Sequence, residues 1–436
     1  MTIAPPAPPS SAGGTEPALR RALGRWDLTA IGINQVIGAA VFAQPALLAA
    51  HAGAWSPWMV AAVGVASMLI ALSFAEVGSR FEGTGGPYLY TRAAFGRFAG
   101  FEVGWIGWLV RITSWASVVN VLVSALGYYW PNLTAGILRT TILSTVVVAI
   151  MALNIRGIKQ SSIVLNTLTI GKLTPLVIFI VLGLPHVSAA ALHVDAMPAW
   201  PAISTASLLL IFTFGGYEII PVPAGEARNP QQAVPFAMIA AITIVGIVIT
   251  LAQVVALGTL PNLATSGTQT PLADAAAIFI GPAGAVLMTV GAMISVAGNN
   301  VGAALSGSRI LFALAEQGDV PRVFGHVHPR YRTPDVAIVV TCLTTLVLAL
   351  SGSFVKLAAI SAIGRLLVYA GTCASVLALR RHGRAPFTIP FGPVVPVIAL
   401  AVCGAILLSV NADQLQRGGA ALAVGAILYL IARRRQ

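Results

Sequence analysis

Charged residues are scarce in this chain. Asp, Glu, Lys and Arg make up only 9% of its 436 residues, whereas a soluble domain carries about 25%. That scarcity excludes an ordinary soluble protein. Hydrophobic residues make up 57% of the chain, and the mean hydropathy is +0.88. Because a membrane-spanning helix needs about 20 apolar residues, the composition predicts an all-α integral membrane protein with many spans.

Cysteine is also scarce. Cys342, Cys373 and Cys403 each lie inside an apolar run, which excludes a disulfide framework and a cysteine metal site. His326 and His328 lack clustered Cys or acidic residues, so a solvated loop fits them better than a metal site. The motifs HExxH and GxSxG are absent from the sequence. We therefore expect no metal, no cofactor and no enzymatic activity.

The N-terminal segment differs in composition from the rest of the chain. It reads MTIAPPAPPSSAGGTEPALR and is rich in Pro, Ala, Ser and Gly. It lacks the apolar core of a signal peptide. We interpret residues 1–25 as a disordered cytoplasmic tail.

Apolar runs bounded by Pro, Gly and charged residues predict twelve transmembrane helices. Their approximate limits are 29–50, 56–79, 99–127, 138–155, 162–185, 203–224, 234–258, 276–308, 336–352, 356–379, 392–411 and 416–432.

The positive residues orient these spans. With a cytoplasmic N-terminus, nineteen of the 25 Lys and Arg residues fall on the cytoplasmic side. Only Arg139, Lys356 and Arg417 fall outside, and three more lie within spans. This bias matches the positive-inside rule and predicts that both termini are cytoplasmic. The net charge of +12 therefore belongs to helix ends rather than to a nucleic-acid surface.

Two of the predicted spans are interrupted by small residues. The first contains IGINQVIGAAVF, and the sixth contains FTFGGYEII. Such paired interruptions in corresponding halves indicate an inverted-repeat transporter. A break frees N–H groups that bind anions and C=O groups that bind cations, and a zwitterionic amino acid needs both. Alternatively, the glycines permit close helix packing. The polar pair Asn34 and Gln35 would line the inner pathway or pack against the eighth span.

Several segments resemble one family in the same order along the chain. They include VIGAAVF, ALSFAEVGSRFEGTGGPYLYTRAAFG, LNIRGIKQS, FTFGGYEIIPVPAGEARNPQQAVPFA and ISVAGNNVGAALSGSRILFALAEQGDVPRVFGHVHPRYRTP. The chain thus resembles amino acid transporters of the amino acid–polyamine–organocation (APC) superfamily.

That resemblance implies a LeuT-like fold with two inverted repeats of five helices and two peripheral helices. The first repeat would cover residues 26–187, the second 200–382, and the peripheral helices 390–433. Alternating access would take place around an amino acid site at the midplane.

The resemblance also implies where the substrate binds. Its carboxylate would meet backbone amides at the first break, and its amino group would meet carbonyls at the second. Phe212 matches an aromatic gate position, and Ser295 could contact the substrate. The full set of predicted substrate-binding residues is Ile37, Gly38, Ala39, Ala40, Phe212, Thr213, Gly215, Gly216 and Ser295.

Ionisable residues within predicted spans are costly and mark functional candidates. By the resemblance, Lys172 replaces the second sodium of sodium-coupled relatives, so it would be either proton-linked or a fixed cation that ties helices together. Glu218 would be a proton-sensitive group or gate partner, or a structural carboxylate, and its neighbour Tyr217 is a further gating candidate. Arg111 and Arg365 would pair with Glu218 or line the pathway.

These features predict a sodium-independent secondary transporter of amino acids, proton-coupled or exchanging, in the bacterial cytoplasmic (inner) membrane. Its partners would be the substrate, protons and the lipid bilayer, without nucleic acid. Small residues at the first break, and the lack of an evident acid beyond Glu218, favour a neutral amino acid. The alternatives are an amino acid-binding membrane sensor with little flux, and a transporter of cationic amino acids or polyamines.

Overall fold

The fold is known from a computed structural model that describes residues 18–129, 131–194, 196–351, 354–408 and 412–433. Within these ranges the secondary structure is helical, and the only β-type pairing is an isolated bridge between Leu23 and Ala227. The all-α prediction is confirmed. Most of the predicted N-terminal tail, residues 1–17, lies outside the described residues.

Fifteen α-helices cover most of the described ranges. The helices of the first half are α1 (Arg25–Val36), α2 (Ala40–Ala52), α3 (Ser56–Gly78), α4 (Pro87–Phe95), α5 (Arg97–Tyr129), α6 (Gly136–Arg156) and α7 (Ile158–Gly183). The helices of the second half are α8 (Trp200–Phe214), α9 (Pro230–Thr259), α10 (Pro271–Phe279), α11 (Pro282–Glu316), α12 (Asp335–Leu350), α13 (Phe354–Leu379), α14 (Val394–Leu408) and α15 (Ala412–Arg433). Short 3₁₀ helices connect several of them.

Among the described residues, seven helical stretches are long and apolar enough to cross a membrane. They are Ala40–Gly78, Gly136–Arg156, Ile158–His186, Trp200–Ile219, Pro230–Thr259, Pro282–Glu316 and Leu415–Arg433. The helices α12 and α14 are shorter and also apolar. These lengths fit a multi-pass membrane protein, and the predicted number of twelve spans stays a prediction.

Several predicted spans differ from the observed helices. The first span is two helices, α1 and α2, as its small residues indicated. The sixth span ends as an α-helix at Phe214 and continues as a 3₁₀ turn, Tyr217–Ile219, so its second half is not the α-helix that the span 203–224 implied. The eighth span is split into α10 and α11 because Gly281, with φ of 82°, begins a new helix. The short helix α4 was not predicted.

The core of the fold surrounds α1. This helix packs against α7, α9 and α11, and α5 packs against α11, α12 and α13. Gly32 lets α1 come close to the segment after α8, because a Cβ there would collide with Ile220. The interior of the bundle is thus built around the two interrupted segments.

A buried carboxylate joins helix ends on the predicted cytoplasmic side. Asp319, just after α11, accepts hydrogen bonds of 2.6 Å each from the Tyr88 hydroxyl, Arg92 Nη1 and Arg97 Nε. Burial, together with the Asp319 charge, raises the pKa of the Tyr88 phenol well above its ordinary value. Tyr88 therefore stays protonated and donates to Asp319, which ties α4 and α5 to α11.

A second buried ion pair lies close to the start of α1. Both side chains of Arg309 and Glu226 are fully buried, with Nε and Oε2 3.0 Å apart. The Glu226 carbonyl accepts the N–H groups of Ala22 and Leu23 at 2.8 and 2.9 Å. The segment before α1 is thereby held against the exit of the sixth span and against α11. Breaking such a pair by removing one partner costs about 3–5 kcal/mol.

Candidate functional site

The first break interrupts the helix between Val36 and Ala40. The N–H groups of Ile37 and Gly38 bond back to the carbonyls of Ile33 and Val36, each at 2.8 Å. Helix α2 then begins anew, and the first N–H groups of a helix have no partner within it. Gly38, Ala39 and Ala40 are partly exposed, and the one atom of the described residues that a Cβ at Gly38 would meet is Asn299 Nδ2, at 3.5 Å. The start of α2 therefore adjoins an open gap.

The carbonyls freed at this break are occupied by Lys172 from α7. Its Nζ atom donates to Asn34 O at 3.0 Å, Asn34 Oδ1 at 2.9 Å, Ile37 O at 2.8 Å and Ser295 O at 3.2 Å. The side chain is fully buried. Ser295 Oγ also donates to Ile37 O, at 2.7 Å. A single ammonium group therefore links α1, α7 and α11.

Asn34 and Gln35 hold the end of α1 on both sides. Asn34 Nδ2 donates to Thr169 Oγ1 of α7 at 3.0 Å. Gln35 Nε2 donates to Asn299 O at 2.8 Å, and Asn299 Nδ2 donates to Gln35 O at 3.1 Å. Of the two expectations for this pair, packing against the eighth span describes Gln35, because α11 is the main part of that span.

The second break follows Phe214. Gly215 N–H bonds to Phe212 O at 3.2 Å, and Gly216 has φ of 130°, a value that side chains disfavour. Gly216 N–H donates to Glu218 Oε2 at 2.8 Å. Thr213 Oγ1 donates to Leu209 O at 2.9 Å and also contacts Gln44 Oε1 of α2. At this break the backbone turns so that the Gly216 N–H bonds to the side chain of Glu218, two residues later.

The two breaks touch each other at Gly216. A Cβ on this residue would lie 2.7 Å from the carbonyl carbon and oxygen of Gln35. Only a glycine allows this approach of two backbones. Both interpretations of the glycines therefore apply within one site, since Gly216 permits close packing and Gly38 borders open space.

A cluster of three charged side chains lies beside the second break. Arg111 Nη2 of α5 donates to Glu218 Oε1 at 2.7 Å, and Arg365 Nε of α13 lies 3.2 Å from the same oxygen. Tyr369 of α13 donates to Glu218 Oε2 at 2.8 Å. Arg111, Arg365 and Glu218 are 3%, 6% and 6% exposed. Of the alternatives for the two arginines, the structure shows that both pair with Glu218.

Tyr369 was missed by the sequence reasoning, although a signal was present. It follows Arg365 by four residues on α13, so both side chains share one helix face. Its ring stacks on Tyr217 with centroids 5.1 Å apart, and Phe74 packs edge-on against both. Tyr217, a gating candidate, is buried in this aromatic group.

Phe212, the predicted aromatic gate, has a side chain that is 45% exposed. The Arg365 guanidinium carbon lies 5.7 Å from the centre of its ring, and Arg365 Nη1 donates to Phe212 O at 3.4 Å. One of the carbonyls expected to receive the substrate amino group is therefore already contacted by a guanidinium.

Loss of the central carboxylate should destabilise the protein strongly. In Glu218→Gln, two buried guanidinium groups lose their counter-charge, and we expect a loss of about 3–5 kcal/mol in unfolding free energy. Unfolding of the purified protein in detergent measures this loss. The matched control is Glu82→Gln, whose pair with Arg21 is 51% exposed on both side chains and should contribute about 0–1 kcal/mol. If both variants lose the same small amount of unfolding free energy, the pairing of Glu218 with the two arginines does not stabilise the fold as expected.

Comparison with known proteins places the chain among transporters. The sequence model of the family described as "Amino acid permease" matches residues 23–424. The chain is 28% identical to the serine/threonine exchanger SteT of Bacillus subtilis, covering 88% of this chain and 89% of the relative. It is 27% identical to the branched-chain amino acid permease BcaP of the same organism, covering 96% and 94%.

A third relative is named for a different kind of substrate. The methylthioribose transporter of Bacillus subtilis is 25% identical, covering 98% of this chain and 96% of the relative. All three names denote transporters or permeases, and all three matches extend over most of both chains. The resemblance that the motifs indicated is confirmed, and this chain belongs to the amino acid permease family of the APC superfamily.

Proposed function

We propose that this protein is a sodium-independent secondary transporter that moves amino acids across the bacterial cytoplasmic membrane by alternating access. The observation that carries the proposal is the Lys172 ammonium group, which contacts four oxygen atoms at the first break. Oxygen ligands are what a hard metal cation requires. A fixed ammonium in their midst leaves sodium neither the space nor the ligands at this position.

The substrate would lie in the gap between the two breaks. Its carboxylate would meet the amides at the start of α2, near Ala39 and Ala40, where the helix dipole also favours an anion. The predicted amides of Ile37 and Gly38 are not available to it, because they bond to the carbonyls of Ile33 and Val36. Its amino group would approach the carbonyls at the end of α8, near Thr213 and Gly215. The partial exposure of Gly38 and of the Phe212 ring supports this placement.

The proposed architecture is the LeuT-like arrangement of two inverted repeats, twelve spans and cytoplasmic termini. The positions of the two breaks, in α1–α2 and after α8, support it. In such a transporter the substrate site opens alternately to the two sides of the membrane. Opening toward the cytoplasm would separate the segment before α1 from Glu226 and Arg309, which are joined in this structure.

The proposed substrate class is an amino acid without a cationic side chain. Glu218, the one acid near the breaks that the sequence indicated, already pairs with two arginines. It therefore has no capacity left for a cationic amino acid or a polyamine. The neutral class favoured by the sequence is also supported by the names of two relatives, which refer to serine, threonine and branched-chain amino acids.

Uptake of a labelled amino acid into proteoliposomes should be the same in sodium and in potassium buffers. The reason is that Lys172 occupies the oxygen atoms that sodium would need. Coupling to protons or to exchange is tested in the same vesicles by imposing a pH gradient or by loading unlabelled amino acid inside. A strict requirement for sodium would contradict the role given to Lys172. Specific binding with neither uptake nor counterflow would instead indicate a membrane sensor.

A further inference from the structure

The charged cluster at the second break contains one positive charge too many. It consists of two arginines, Arg111 and Arg365, and one carboxylate, Glu218, all at least nine-tenths buried. Lys172, also buried, contributes a further positive charge at the first break. An uncompensated charge inside a membrane protein is costly and is retained where it has a function. A zwitterionic substrate has no net charge and so cannot balance this excess.

The surplus charge belongs to Arg365 rather than to Arg111. Glu218 is already engaged by Arg111 Nη2 at 2.7 Å, the Tyr369 hydroxyl at 2.8 Å and Gly216 N–H at 2.8 Å. Arg365 Nε lies 3.2 Å from Glu218 Oε1, yet among the described residues this buried N–H has no hydrogen-bond partner. A guanidinium group has five N–H donors. Within the described ranges, the one hydrogen bond shown for Arg365 is the long contact to Phe212 O, 3.4 Å.

The guanidinium of Arg365 lies at the second break. A Cβ on Gly215 would collide with Arg365 Nη1, so the guanidinium lies directly against the second break. On its other side is the half-exposed ring of Phe212, 5.7 Å from the guanidinium carbon. A narrow crevice between α5, α11 and α13 also reaches Arg111, Glu218 and Arg365. An anion that reaches the second break would therefore lie next to the Arg365 guanidinium.

We propose that Arg365 is the centre of a binding site for one monovalent anion, which is bound in addition to the α-carboxylate of the substrate. The inference rests on the proposed transport function and deepens it. The α-carboxylate has its own donors at the start of α2, so the anion at Arg365 is a second one. Its chemistry is a carboxylate or a halide, and it has two sources. It is either the side-chain carboxylate of an acidic amino acid, or chloride that accompanies a neutral one.

Proteoliposome uptake distinguishes the two sources. Labelled aspartate, glutamate, serine and leucine are each tested in chloride and in gluconate buffers. If the anion belongs to the substrate, the acidic amino acids are taken up more efficiently than the neutral ones by about tenfold or more. If the anion is free, neutral amino acid uptake falls by a similar factor when gluconate replaces chloride. Arg365→Gln removes whichever preference is found, and Arg365→Lys retains part of it.

The control variant is Arg322→Gln, at the exposed start of a 3₁₀ helix between α11 and α12, and it should behave as the wild type. If Arg365→Gln does not fold, competition of unlabelled acidic amino acids or chloride in the wild type still tests the site. If uptake of neutral amino acids needs no chloride and is not inhibited by acidic amino acids, the anion site is wrong, while the proposed transport function still stands. Equal loss of all substrates in Arg365→Gln assigns Arg365 to the α-carboxylate and also overturns it.

A failure of the transport proposal is recognised separately. If no amino acid is taken up, the wild-type protein is heated with each acidic amino acid and with chloride, because a ligand of the folded state raises its melting temperature. A rise that disappears in Arg365→Gln supports the anion site even without transport. If none of these anions changes the melting temperature, the proposed anion site is wrong.

Discussion

Lys172→Ala is expected to abolish amino acid uptake while the protein is still made and inserted. The four oxygen atoms that Nζ now contacts belong to Asn34, Ile37 and Ser295. Without the ammonium, the Ser295 hydroxyl is the one donor among the described residues that still bonds to the carbonyl of Ile37. The break would then lose the contact that joins it to both α7 and α11. Uptake into proteoliposomes, with protein amount measured in parallel, tests the expectation.

The matched control for this variant lies on the same helix. Lys159, at the exposed beginning of α7, has the same chemistry, and its replacement by alanine should leave uptake unchanged. If Lys172→Ala retains exchange but loses the response to a pH gradient, the lysine is proton-linked. If the variant loses all flux, the role of Lys172 is explained by a fixed cation that holds the helices together. Wild-type flux with a normal pH response would remove Lys172 from the mechanism.

Gly38→Leu is expected to abolish substrate binding with little loss of stability. The space around this residue is open in the part of the chain that the structure describes, where a Cβ would meet one atom, Asn299 Nδ2, at 3.5 Å. A leucine side chain would thus fill the gap next to the first amides of α2 without displacing the backbone. Binding is measured by the rise in melting temperature with amino acid, and the unliganded melting temperature reports stability.

Gly215→Leu should abolish binding as well but also destabilise the fold, because its Cβ would collide with Arg365. The control is Gly404→Leu in α14, where a Cβ would meet no atom of the described residues within 4 Å. That variant should bind substrate and melt like the wild type. Unchanged substrate affinity in Gly38→Leu would remove the first break from the binding site.

The sequence predicted the helical fold because the backbone in lipid must satisfy its own hydrogen bonds. Composition and hydrophobic runs therefore indicated most helices to within a few residues. The interruption at Gly38 was also predictable, since small residues within a span weaken the helix at their own position in the chain. Helix ends were less predictable where tertiary contacts decide them. The chain after Phe214 turns back because Gly216 packs on Gln35 and its N–H binds Glu218, which no local pattern reveals.

The candidate site shows the same division between local and distant effects. Lys172 was noticeable because a lysine in an apolar run is rare. For Arg111 and Arg365 the sequence left two alternatives, because α5, the second break and α13 are far apart in the chain. Tyr369 was missed, since one tyrosine in an apolar helix looks like a packing residue. Only the assembled bundle shows that Glu218 is engaged by Arg111, Tyr369 and Gly216.

The sequence by itself determined that this is a helical membrane protein of a transporter family, that two spans are interrupted, and which ionisable residues lie within spans. These properties follow from composition and from short-range patterns. Only the tertiary structure decided which charges are neutralised. Pairing depends on distances between helices that are remote in sequence, and among the described residues that geometry leaves Arg365 Nε without a hydrogen-bond partner. In the proposed anion site, the packing of α5, α13 and the second break would set the charge of the ligand.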